Sequence, residues 1–168
     1  IYEQDFHDCS YGFRPGRSAH QALRHLRSDL RPAAGLRWVI DLDIQSYFET
    51  ISHTELRRFL DQRVTDGVIR RLIDKWLKAG VLEAGALHRP TAGTPQGGVI
   101  SPVLSNLFLH HVLDDWFEQT VRPRLSGSAT LVRYADDAVL AFATYRDAMR
   151  VHSVLHKRLA RFGLTLNT

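Results

Sequence analysis

The sequence predicts an α+β domain, a layer of antiparallel sheet backed by helices. Three observations carry that expectation. Two β-type runs, 130–133 and 138–142, flank the tetrapeptide Tyr134-Ala135-Asp136-Asp137, the pattern of a tight antiparallel hairpin. A third run, 36–44, is rich in β-branched and aromatic residues. Around these runs lie segments with apolar residues at helical spacing, in an order without strict βαβ alternation.

Taken in order, residues 1–17 read as irregular, punctuated by Gly12, Pro15 and Gly16. Ser18 is placed to cap a helix over 19–30, in which Ala19, Ala22, Leu23, Leu26 and Leu30 keep helical spacing until Pro32 and Gly35. In the strand at 36–44, alternate side chains share a face, so Asp41 and Asp43 lie together and Leu42 and Ile44 lie opposite. Ser52 caps the next helix, with Glu55 three residues on as a capping box and Leu56, Phe59 and Leu60 as its apolar residues. A helix over 66–79 carries Val68, Ile69, Leu72, Ile73, Trp76 and Leu77 on its apolar side and stops at Gly80. A short hairpin follows at 81–91, turning at Gly85, and then a glycine-flanked loop at 93–98. Ser101 at the cap and Pro102 in the first turn open a long helix that runs to about 121. The acidic hairpin occupies 130–143, a helix 145–162, and a last strand begins at 163–166.

Composition narrows the function classes. At 168 residues and 44% hydrophobic, the chain supports one globular domain and not disorder. A net charge of +4 permits a polyanion partner without establishing one. Lysine occurs only at Lys75, Lys78 and Lys157, so nearly all positive charge is arginine. Arginine suits phosphate oxygens, but a GC-rich genome gives the same bias. The single cysteine, Cys9, excludes an intramolecular disulfide and a cysteine-based zinc site, and fits a reducing compartment. Nine histidines show no zinc spacing, and His110 and His111, adjacent in a helix, point to different faces. No apolar run is long enough to span a bilayer, and no signal peptide opens the chain.

Several residues have two readings. Asp136 and Asp137 fit a turn, where aspartate is common. Ionised carboxylates beside strands this apolar otherwise need a counter-charge or a metal. Set beside the strand bearing Asp41 and Asp43, they build a cluster of oxygens suited to hard divalent cations, above all Mg²⁺. Two such ions about 3.5–4 Å apart activate an attacking hydroxyl and stabilise a leaving pyrophosphate. Phe48 reads as a core aromatic, or as a wall under a nucleotide sugar that a 2′-hydroxyl would strike. The loop at 94–98 is either a tight connection or a shelf for a nucleotide at a helix start, with Gln96 as its long polar side chain. Arg14 and Arg17, bracketing Pro15-Gly16, are a solvated basic loop or a presented pair for phosphate. Asn106 carries no chemistry by pattern alone. It bonds a neighbouring backbone group or faces solvent.

Five segments stand in series: Tyr11-Gly12-Phe13-Arg14-Pro15-Gly16-Arg17-Ser18-Ala19-His20, then Asp41-Leu42-Asp43-Ile44-Gln45-Ser46-Tyr47-Phe48, then Gly93-Thr94-Pro95-Gln96-Gly97-Gly98, then Arg133-Tyr134-Ala135-Asp136-Asp137, then Gly163-Leu164-Thr165-Leu166-Asn167. In this order the chain resembles the reverse transcriptase domain of group II intron-encoded proteins, also called maturases, over nearly its whole length. The resemblance implies a right-hand polymerase palm with partial fingers. Residues 1–35 would be a fingers segment and 36–168 palm with a helical insert at about 53–80. Earlier fingers would lie upstream, and the thumb and maturase regions downstream.

The implied activity is RNA-directed DNA polymerisation, the transfer of dNTPs to a primer 3′-hydroxyl. The implied catalytic, metal-binding carboxylates are Asp43, Asp136 and Asp137, with the backbone carbonyl of Ile44 as a further ligand, two Mg²⁺ ions as cofactors and Mn²⁺ as a substitute. Asp41 has a supporting role only. Phe48 becomes the sugar gate, Gln96 and Gly97 nucleotide-site residues, and Arg14, Arg17 and Tyr134 nucleic-acid contacts. The implied partners are an RNA template and primer, a dNTP and an intron RNA, with no membrane. The compartment is bacterial cytoplasm, or an organelle, and no oligomeric state is indicated. Glu49 and Ser52 stand where the family more often has Asp, both outside the proposed metal shell. Without a thumb the 168-residue chain is expected to be inactive alone.

Two other readings stay open. A non-catalytic RNA-binding splicing scaffold would have no use for clustered acids, which repel RNA unless metal neutralises them. Retron, diversity-generating and CRISPR-associated reverse transcriptases fit the segment at 11–18 and the insert after His53 less well.

Overall fold

The computed structural model describes residues 2–78, 81–83, 86–88 and 100–167. The loop holding Gln96 and Gly97, the proposed helix stop at Gly80 and the proposed hairpin turn at Gly85 lie outside the described residues.

The predicted class holds. Helix α1 (Ala19–Asp29) starts where Ser18 Oγ accepts from the Gln21 amide. Strand β1 (Trp38–Leu42) leads into a short helix, α2 (Tyr47–Thr50), that periodicity did not predict. Ser46, with φ +46°, makes the sharp turn between them. Helix α3 (His53–Leu60) begins at Ser52, whose hydroxyl accepts from the Glu55 amide as the capping box requires. Helix α4 (Gly67–Lys78) is followed by the antiparallel pair β2 (Val81–Glu83) and β3 (Ala86–His88). Helix α5 (Ser101–Leu109) continues in π-helical turns over His110–Asp114 and Trp116–Val121, and in a 3-10 turn over Arg122–Arg124. The hairpin is β4 (Ala129–Tyr134) and β5 (Asp137–Phe142), and helix α6 (Tyr145–Ala160) starts on a Thr144 cap.

Three expectations are corrected. The long helix is capped one residue earlier than predicted, at Ile100, and Ser101 is its first, buried residue. Its second half is not α-helical. Of the apolar residues predicted on α4, Ile73 and Leu77 are buried, while Val68, Ile69, Leu72 and Trp76 are exposed. Periodicity identifies an amphipathic face. It does not supply the surface that covers it.

The larger sheet has the order β1-β5-β4, antiparallel throughout. Side chains alternate across it. Leu42, Ala138, Leu140, Phe142 and Leu131 point into the main core, against Leu107, Phe108, Val112, Phe117 and the apolar side of α6. The opposite face carries Asp41 and Val39 of β1, Asp137 and Val139 of β5, and Val132 and Tyr134 of β4. Tyr11 and Ala22 cover Val132 there, while Asp41 and Asp137 stay exposed.

Candidate active site

The acids gather at one end of that open face. Asp41 lies opposite Val139 and Leu42 opposite Ala138, so the same register carried one residue on sets Asp43 opposite Asp137. Tyr134 pairs with Asp137, which leaves Ala135 and Asp136 as a two-residue turn. Ala135 sits at φ +58°, an uncommon conformation for a residue other than glycine. The result is four carboxylates, Asp41, Asp43, Asp136 and Asp137, with no ion-pair partner among the described residues. The Asp137 carboxyl is pushed above the ordinary aspartate range, first by burial and then by the charges of Asp136, Asp43 and Asp41. Among the described residues these acids do not form a set of three with ligand atoms all within 4.8 Å.

A brace from the end of the chain holds Asp43. Leu166 bridges Ile44, the Asn167 amide donates to the Asp43 carbonyl at 3.0 Å, and the Gln45 amide donates to the Thr165 carbonyl at 2.8 Å. Asn167 Nδ2 donates to Asp43 Oδ2 at 2.7 Å and so orients the carboxylate. The Ile44 side chain is buried, and its carbonyl takes no part in these bonds.

Phe48, on α2, is half-buried against the core with its ring centroid 5.4 Å from that of Tyr47. Tyr47 is buried, and its hydroxyl donates to the Ser105 carbonyl at 2.8 Å, pinning α2 to α5. Burial pushes that phenol up. Tyr134 is exposed at the hairpin end.

Arg14 and Arg17 are not presented as a pair. The Arg14 side chain is 4% exposed and is spent on Glu3 and on the carbonyls of His7 and Ser10, so it clamps the N-terminal segment. Arg17 is more open and is paired with Asp8.

The sequence reading missed what fixes the acidic turn. Arg133, fully buried, donates through Nε and Nη2 to both oxygens of the buried Asp114, at 2.8 and 2.6 Å. Nη2 also reaches Ser10 Oγ at 2.8 Å, and Nη1 reaches Asn106 Oδ1 at 3.0 Å and the Ala135 carbonyl at 2.7 Å. Five donations fill the guanidinium's inventory. Burial opposes its charge, but the charge of Asp114 and its hydrogen bonds outweigh this and raise the Arg133 pKa. Asn106 Nδ2 in turn donates to the Gly12 carbonyl at 2.6 Å. Gly12 lies against the turn itself: a Cβ there would stand 2.3 Å from the Ala135 amide nitrogen. Segment 9–12 runs beside β4, with the Arg133 amide on the Cys9 carbonyl and the Tyr11 amide on the Arg133 carbonyl, both at 2.8 Å. The pattern Arg133-Tyr134-Ala135-Asp136-Asp137 held a signal for this. A charged residue alternating into an apolar strand face must find a partner.

Comparison with known proteins agrees with this architecture. Residues 1–168 match the family model described as reverse transcriptase (RNA-dependent DNA polymerase). Protein YkfC of Escherichia coli (strain K12) is 42% identical over 137 residues, which is 80% of this chain and 35% of that protein. Group II intron-encoded protein LtrA of Lactococcus lactis subsp. cremoris is 43% identical over 112 residues, 67% of this chain and 18% of that protein. The chain thus spans about a third or less of the curated relatives' length. A telomerase from Candida albicans, solved with a fragment of telomeric RNA, superposes with a TM-score of 0.73 at 17% identity, covering 95% of this chain and 30% of that one. That likeness speaks to the fold alone. The match over the whole chain settles its membership: this is a member of the reverse transcriptase (RNA-dependent DNA polymerase) family.

Proposed function

We propose that the chain is the palm-centred core of a group II intron-type RNA-directed DNA polymerase, which adds dNTPs to a primer 3′-hydroxyl on an RNA template. One observation carries this: Asp43 and Asp137, remote in sequence, meet at the end of one sheet face beside Asp136, where burial and the neighbouring acids raise the Asp137 pKa. In this reading residues 1–35 belong to the fingers, 36–168 to the palm, and α3 and α4 fill the insert at about 53–80.

The donor set fits a hard divalent cation, the kind of ion the family generally uses. Asp43, Asp136 and Asp137 would hold two Mg²⁺ ions, or Mn²⁺ in their place, with the Ile44 carbonyl as a further ligand. When bound, such ions supply activation of the primer hydroxyl and charge neutralisation at the departing pyrophosphate. The remaining work falls to the chain. Asn167 fixes the direction of the Asp43 carboxylate. Arg133 and Gly12 hold the turn that carries Asp136. Phe48, made rigid through Tyr47, closes the space a 2′-hydroxyl would need. Gln96 and Gly97 belong to the nucleotide site, Tyr134 and the more open Arg17 are offered to nucleic acid, and the partner is an intron RNA.

Primer extension on poly-rA with oligo-dT tests the assignment in the intact protein. Asp136→Asn removes extension by about a thousandfold or more, the size of effect that loss of a charge-stabilising group produces, and leaves the circular dichroism spectrum unchanged. Extension at the wild-type rate would overturn the proposal.

A further inference from the structure

We propose that His7, His110 and Asp115 form a Zn²⁺ site that ties the N-terminal segment to the π-helical stretch of the long helix. The site shares no residue with the acidic cluster. His7 Nε2 lies 2.8 Å from Asp115 Oδ1, and the ligand atoms of the three residues all fall within 4.8 Å of one another. Imidazole nitrogen and carboxylate oxygen are ordinary zinc donors, and three protein ligands leave a fourth position to water.

His110 supplies a second, independent observation. It is 4% exposed, yet its Nδ1 has no hydrogen-bond partner. Its Nε2 stands 3.6 Å from Asp115 Oδ2, beyond hydrogen-bond range. Its buried Nδ1 is unsatisfied, which is unfavourable, and its Nε2, near Asp115 without a hydrogen bond to it, is free to take a metal.

The backbone explains why adjacent histidines reach one carboxylate. The π-helical turn over His110–Asp114 carries i→i+5 bonding, and it brings His110 towards Asp115, five residues on, while His111 lies four residues before it. His111 Nδ1 is 3.1 Å from Asp115 Oδ2, and Gln119 Nε2 donates to Oδ1 at 3.3 Å. These two hold the carboxylate from outside the ligand set, as neighbours of metal ligands do. His7 also borders a cavity of about 470 Å³ lined in part by Asp8, Glu118 and Arg122. Without metal, His7 and Asp115 are joined by a hydrogen bond. An ion takes the place of that proton, which passes to Nδ1 of a neutral His7 ring or leaves a protonated one.

Metal binding by the untagged protein tests the proposal. Zn²⁺ and Co²⁺ are titrated in excess Mg²⁺, which prefers oxygen ligands and occupies the acidic cluster. The expected result is one Zn²⁺ retained per chain and, with Co²⁺, the visible absorption of a four-coordinate site. His7→Ala and Asp115→Asn each weaken binding by about a hundredfold or more, while Asp43→Asn leaves it unchanged. His7 is partly exposed, so His7→Ala keeps the fold, which circular dichroism verifies. Asp115→Asn keeps the residue's shape and removes the charge. No Zn²⁺ retained at micromolar concentration, or equal retention in all three variants, would overturn the proposal.

Discussion

Replacing Asp114 with asparagine isolates the clamp beneath the acidic turn. The side chain keeps its shape and loses its charge, so the Arg133 guanidinium stays buried without a counter-ion. Arg133 and Asp114 side chains are both 0% exposed, and solvent cannot make up the loss. Removing one partner of a buried pair costs about 3–5 kcal/mol. For a chain of 168 residues this lowers the melting temperature by about 6–20 °C. Arg133→Met costs a similar amount, because it strands the Asp114 carboxylate and leaves Ser10, Asn106 and the Ala135 carbonyl each short of a donor. The double variant Asp114→Leu/Arg133→Met removes both charges, so its loss falls well below the sum of the two. Thermal unfolding followed by circular dichroism measures all three. Additivity within about 0.5 kcal/mol, or a loss below about 1 kcal/mol for Asp114→Asn, would refute the claim that these charges compensate each other. Polymerisation supplies a second readout: the double variant loses it even where folded, because nothing then grips the Ala135 carbonyl.

Four further outcomes are expected. Gly12→Ala forces the Ala135 backbone to move, costing about 1–3 kcal/mol and lowering primer extension more than tenfold, measured at a temperature where the variant is folded. Asp137→Asn removes a partly desolvated charge and its like-charge repulsion and stabilises the fold by at most about 1 kcal/mol because the group is exposed, seen as a higher melting temperature, while extension is lost. Phe48→Ala raises ribonucleotide incorporation relative to deoxynucleotide by about tenfold or more in competition assays. Burial opposes ionisation of Asp115, but hydrogen bonds from His111 and His7 and the His110 charge outweigh it and bring its carboxyl from 3.8 down to about 2. A depressed folded pKa stabilises above the unfolded value and ceases to do so as pH falls through the folded one. The stability gap between wild type and Asp115→Asn therefore closes as pH drops from 4 to 2, which acid-dependent melting curves measure.

The elements legible in the sequence were those specified by neighbouring residues. Caps at Ser18 and Ser52 need only a hydroxyl and an amide three residues on, and both occur as read. The hairpin at 129–142 needs only alternation and a turn. Side-chain parity alone put Asp41 and Asp43 on one face. Features decided by distant residues were not legible. Parity puts Arg133 on the apolar side with Leu131, but only the fold shows which partners, Asp114, Ser10 and Asn106, surround it there. Arg14 looks like a presented cation until Glu3 and two carbonyls claim it. His7, His110 and Asp115 span more than a hundred positions and match no spacing rule.

The same division explains how the acidic end of the sheet can exist. Four carboxylates with no ion-pair partner among the described residues stand together, and burial first, then their charges, raise the Asp137 pKa. Left to itself, a two-residue turn with Ala135 at positive φ would relax and let the acids separate. Relaxation is blocked from below by a fully desolvated Arg133–Asp114 pair and from the side by Gly12, at a distance that admits no side chain. Buried ion pairs contribute little net stability compared with apolar packing. Their value in this fold is directional: a guanidinium that must satisfy five acceptors has one position, and the Ala135 carbonyl shares that position. If the clamp serves geometry in this way, substitutions that leave Asp43, Asp136 and Asp137 untouched will abolish polymerisation without unfolding the chain, as the double variant distinguishes.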